Sequence, residues 1–156
     1  MPKEAVKDLL KFIKTFPKQT QDNALWLREF VWDLYPKCNE LIYDNYNAVA
    51  WGWSVTDKQS HTFCTMAIGR SSYNLHFGFY YGSQLSDPRK ILLGEGNQYR
   101  YILIKEKKDF PKTYMKKLLQ EAHVNVLAKI KDLKETPTGK TIVKSISAKK
   151  RAKKSN

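Results

Sequence analysis

Asp22, Glu29 and Asp33 stand at intervals of seven and four residues. In a helix those intervals are close to two turns and one turn, so the three carboxylates share a face. Hard oxygen ligands so arranged can hold a divalent cation weakly. A solvated face paired with lysines is the ordinary alternative, and spacing does not choose between them. A second constellation centres on Arg100. It alternates in phase with Ile102 and Ile104, which would bury it in a strand, and a buried guanidinium needs a partner. Asp87 and Glu95 are the nearest acids. The trio reads as an ion pair pinning the segment 82–96, or as an anion site. The third is a basic run: Lys149, Lys150, Arg151, Lys153 and Lys154, within a stretch from Lys140 to Asn156 that has no acid. Such a run attracts polyanions, nucleic acid included, and its like charges keep it extended.

Catalytic signatures are missing. There is no GxSxG, Walker loop or HExxH, and Gly94-Glu95-Gly96 lacks the third glycine of a dinucleotide loop. His61, His76 and His123 lie far apart without ligand spacing. No nucleophile, base and orienting group can be assembled, so an enzyme is not expected.

The elements that would carry these residues follow from periodicity. Val6, Leu9, Leu10 and Ile13 mark a helix over 4–14, stopped before Pro17. Leu27, Phe30, Val31 and Leu34 mark a second over about 22–35, closed by Pro36. The period then changes. Val49, Trp51, Trp53 and Val55 alternate with Ala50, Gly52 and Ser54, a strand with one large face and one small. Strands are expected at 62–68, 73–81 and 99–105, joined closely enough to be antiparallel neighbours. Asp87-Pro88 suits a helix start, with Ile91, Leu92 and Leu93 as one turn and Gly94 as its stop. Met115, Leu118, Leu119, Ala122, Val126, Ile130 and Leu133 predict an amphipathic helix of about twenty residues.

This order is an α+β domain: a two-layer sandwich with an antiparallel sheet covered by N-terminal and C-terminal helices. The uncovered sheet face is the first place to look for exposed aromatics and a binding surface. One domain over residues 1–139 and a disordered basic tail over 140–156 are expected. The chain has 156 residues, 42% hydrophobic and 13% aromatic, with a net charge of +13. That is enough apolar content for a core, with no run long enough to span a membrane and no apolar secretory leader. Cys38 and Cys64 form no CxxC pair, which points to free thiols and a reducing, cytoplasmic compartment. From Gln19 to Asn47 the balance reverses to −3.

Phe77-Gly78-Phe79, Gly82, Leu85, Asp87-Pro88, Leu92-Leu93, Gly94, Gly96 and Arg100 followed by Ile102 resemble the YdhG-like domains over about residues 24–126. These are small bacterial proteins of largely unassigned function, some described as frataxin-like iron chaperones. The resemblance implies a frataxin-like sandwich and weak iron binding on the acidic ridge of Asp22, Glu29 and Asp33, with an iron–sulfur assembly partner. The residues themselves leave a second class open: a non-enzymatic module that meets an anionic or nucleic-acid partner through the basic tail and the aromatic sheet face.

Overall fold

A computed structural model describes residues 3–133 and 137–154. Pro17 separates the first two helices, α1 (Lys3–Ile13) and α2 (Lys18–Leu34). Helix α2 starts four residues earlier than its apolar stripe predicts. The fixed φ of Pro17, −55°, suits the residue that enters a helix, and the Gln21 amide donates to its carbonyl. Strands β1 (Asn39–Asp44), β2 (Ala48–Ser54), β3 (Thr62–Gly69), β4 (Leu75–Phe79) and β5 (Arg100–Ile104) follow. Helix α3 (Lys112–Lys129) and strand β6 (Thr141–Ile146) complete the order.

The sheet has six strands in the order β5-β4-β3-β2-β1-β6. Neighbours from β1 to β5 are antiparallel, and β6 runs parallel to β1. Sequence periodicity predicts the four central and distal strands but neither β1 nor β6, and the sheet is mixed rather than antiparallel throughout. β1 escapes because Glu40 and Asp44 occupy the same face as Ile42, so its inward positions read as polar. The structure satisfies both acids. Arg28 of α2 donates to both Glu40 oxygens at 2.6 Å, with both residues at most 1% exposed. Arg70 and Lys150 pair with Asp44.

The segment expected to be a disordered tail is also corrected. Lys140 accepts the Glu40 amide at 2.8 Å, the Thr141 hydroxyl donates to Glu40 at 2.9 Å, and Ile142 and Val143 are half-buried beside β1. An edge strand with unpaired backbone groups recruits even a modestly apolar partner, so the domain extends past residue 139.

One core unites one face of the sheet with the helices. Val49, Trp51 and Trp53 of β2 and Phe77 and Phe79 of β4 meet Leu9, Ile13, Leu27 and Val31 from α1 and α2. Met115, Leu118, Leu119, Ala122 and Val126 of α3 join them. The predicted helical turn after Asp87 does not form. Asp87 and Lys90 have φ of +32° and +54°, outside helical space, and Leu93 instead bridges Tyr101 through two backbone hydrogen bonds of 2.7 and 3.0 Å.

Candidate functional site: an uncharged trough on the open sheet face

The β2 alternation that sends Trp51 and Trp53 into the core sends Ala50 and Gly52 to the other face. Register then aligns small residues across the sheet. Tyr43, Ala50, Ala67 and His76 form one row, and Leu41, Gly52, Thr65, Gly78 and Tyr101 the next. The small side chains in mid-sheet make a floor and the aromatic ones make walls. The result is a trough of about 450 Å³, lined by Tyr43, Ala50, Gly52, Thr65, Ala67 and His76 of these rows and also by Gln59, Thr62, Tyr80, Gln98 and Tyr99.

The wall on the β4–β5 side is a column of rings. His76 stacks on Tyr101 with centroids 4.4 Å apart and planes 13° from parallel, and Tyr101 stacks on Tyr99 at 5.7 Å and 18°. Tyr99 lies across Gly78, where a Cβ would collide with the phenol. Glycine is therefore required at that position for close approach.

No lining residue is Asp, Glu, Lys or Arg. Burial lowers the pKa of His76, which favours its neutral imidazole. Burial, with Tyr80 nearby, raises that of Tyr43, and burial raises that of Tyr99 against a smaller lowering by the Thr65 side chain. Two hydroxyls in the lining, Tyr43 Oη and Thr62 Oγ1, are buried without a hydrogen-bond partner among the described residues. Thr62 is only 3% exposed. A buried orphan hydroxyl costs about 1–3 kcal/mol, so beneath this apolar surface lies hydrogen-bonding capacity that the described residues leave unused.

No family model, curated protein or solved structure matches the chain. The chemistry of the trough therefore rests on its own residues.

The residues singled out in the sequence are placed elsewhere. Asp22 pairs with Lys18 at 3.0 Å on the exposed face of α2. Glu29 and Asp33 line a separate small hollow with Trp26, Phe30 and Lys112. Eleven residues of helix separate Asp22 from Asp33, about 16 Å at 1.5 Å per residue. One ion cannot reach all three, and among the described residues no three His, Cys, Asp or Glu side chains gather to hold a metal.

Arg100 pairs with neither Asp87 nor Glu95. It is half-buried and donates to the carbonyls of Gly96 and Tyr99 at 2.7 and 2.8 Å. Asp87 is held by the Tyr114 hydroxyl and by the amides of Ile91 and Leu92. Burial raises its pKa, but the Tyr114 hydrogen bond, those two amides and Arg89 outweigh it and hold the carboxyl below its usual range. Asp87 therefore organises its own loop, and backbone carbonyls satisfy the guanidinium. Cys38 and Cys64 are free and buried. Burial pushes the Cys38 thiol up to about 12, so neither is a ready nucleophile.

The basic run forms a strap. Ser147 donates its amide to Asp44, Arg151 to Tyr46, and Lys154 to Ser71. The chain thus crosses the β1–β2 and β3–β4 turns at one end of the sheet. Lys153 lies over the Tyr73 ring at 4.9 Å.

Of the trough, sequence reading located the face but not the members. The small positions Ala50 and Gly52 were the available signal. Tyr43 and Thr62 gave none, because β1 was not legible and a bulge at Trp53/Ser54 sets the register of Thr62.

Proposed function

We propose that this chain is a non-enzymatic binding protein that holds a neutral, flat heteroaromatic group in the trough. The carrying observation is the lining: aromatic walls, a floor of small residues, no Asp, Glu, Lys or Arg, and two buried hydroxyls without partners among the described residues. Aromatic walls select flat ligands because offset and edge-to-face ring contacts favour them. An uncharged, poorly hydrated lining disfavours a charged group, whose desolvation nothing would offset. The hydroxyls favour a ligand with ring nitrogens or carbonyls over a plain hydrocarbon.

In this reading the protein is a YdhG-like domain with a two-layer, frataxin-like arrangement, helices on one face and ligand on the other. The shared core of the helices with one sheet face supports the layering. An intracellular site of action is part of the reading, supported by two free thiols. Among the described residues no helix is long and apolar enough to cross a membrane. Iron carriage on α2 is not retained, because its three acids do not converge.

The test is a panel of neutral heteroaromatics, uridine and adenosine among them, followed by amide NMR on the full chain. Shifts should concentrate at Tyr43, Ala67, His76 and Thr62. Ala67→Phe, which fills the floor, should abolish them. Thr62→Val should weaken binding while stabilising the free protein by about 1 kcal/mol, since it removes an unsatisfied buried hydroxyl. Shifts scattered over the surface, or unchanged by Ala67→Phe, would refute the reading.

A further inference from the structure

We propose that the flat group is a base of a single-stranded polynucleotide whose phosphates run along the strap of residues 147–154. The proposal rests on the trough reading and deepens it. It answers a mismatch: the aromatic trough has no charged residue in its lining, yet the chain around it carries +13. A ligand suited to both has a neutral flat part and an anionic part, and a nucleotide strand is built that way.

The strap supplies the second half of the site. Its hydrogen bonds to Asp44, Tyr46 and Ser71 fix it across one end of the sheet. Tyr43 is the neighbour of Asp44 in β1, and Ala67 lies two residues before Gly69, where β3 ends. The near row of the trough therefore lies one or two residues of strand, about 3–7 Å at 3.3 Å per residue, from the sheet end that the strap crosses. That is about the reach from a base to the phosphates of its own and the adjoining nucleotide. Lys150 is engaged by Asp44 at 2.9 Å. Lys149, Arg151 and Lys154 are exposed and have no carboxylate partner among the described residues. Ring faces stacking bases beside a positive track is how single strands are held without sequence reading. A duplex hides its base faces, so it could use the strap but not the trough.

The experiment uses the full chain and a labelled 12-nucleotide single strand, read by fluorescence anisotropy between 50 and 200 mM salt. A blunt duplex of the same sequence is the competitor, and uridine and adenosine are titrated in parallel. The single strand should bind at least about tenfold tighter than the duplex. Combining Lys149→Gln, Arg151→Gln and Lys154→Gln should weaken strand binding about tenfold or more. It should also flatten the log–log salt slope by about 2, at roughly 0.7 per lost phosphate contact, while leaving nucleoside binding unchanged. Ala67→Phe should abolish nucleoside binding and the preference for single strands. Ala50→Phe serves the same purpose if circular dichroism shows Ala67→Phe misfolded.

Equal affinity for duplex and single strand, or full strand affinity in a folded trough-filled variant, would overturn the proposal and leave simple adhesion of polyanions to the strap. Nucleoside binding without strand binding would overturn it while sparing the trough reading. Binding of neither would remove both.

Discussion

Replacing Arg28 by methionine strands Glu40. The carboxylate is 0% exposed. It receives two guanidinium hydrogen bonds of 2.6 Å from Arg28 and one of 2.9 Å from Thr141. Methionine fills similar space but leaves a charge in the core with one hydroxyl donor. Removing one member of a buried pair costs about 3–5 kcal/mol. For a domain of this size that lowers the melting temperature by roughly 10 °C, at about 2–4 °C per kcal/mol. The effect extends to β6, since Thr141 and Lys140 bond the same residue. Urea unfolding followed by tryptophan emission is the assay, with Trp32, Trp51 and Trp53 all buried as reporters. The control is the double variant Arg28→Met/Glu40→Met, which removes both charges and should regain all but about 1 kcal/mol. A cost below about 1 kcal/mol for Arg28→Met, or a double variant no more stable than the single, would refute the reasoning.

Truncation after Gly139 should destabilise the fold by at least about 3 kcal/mol, because several backbone and side-chain hydrogen bonds to β1 are lost at about 1 kcal/mol each; calorimetry decides, and an unchanged melt would show that β6 does not dock. Stability should fall as pH drops below about 6.5. Burial lowers the pKa of His76 and His123 in the folded state, so the unfolded chain binds more protons there. Urea midpoints at pH 7.5 and 5.5 measure this, and His76→Gln/His123→Gln should reduce the difference. Manganese(II) should not broaden amides selectively along α2, since its acids span about 16 Å; an NMR titration with focused broadening there would restore the metal reading.

How far the sequence could be read depended on whether a residue's role was local. The helices and β2 to β5 were legible because their apolar spacing reports burial directly, and Trp51 and Trp53 showed their face by alternation alone. β1 was not legible, because Glu40 and Asp44 are buried through partners 12 and 26 residues away. β6 was hidden among lysines, its docking decided by an edge that only the folded sheet presents. The segment after Asp87 is ambiguous in the sequence because aspartate before proline suits a helix start and equally a non-helical loop, in which the side chain collects amides further along. The partners of Arg100 are hidden because carboxylates are visible in a sequence and well-aimed carbonyls are not.

The parallel pairing of β6 with β1 imposes an order on synthesis. Every other ladder joins strands adjacent in the chain or one short connection apart, whereas Glu40 waits for Thr141, about a hundred residues later. While the intervening chain emerges from the ribosome, β1 is an open edge of Asn39–Asp44 with unpaired amides and carbonyls. Such an edge templates pairing with other copies. Closure across so long a separation is also entropically slow compared with the hairpins that precede it. The last strand thus acts as a cover for the first, and conditions that delay or weaken it should raise aggregation before they abolish the rest of the sheet.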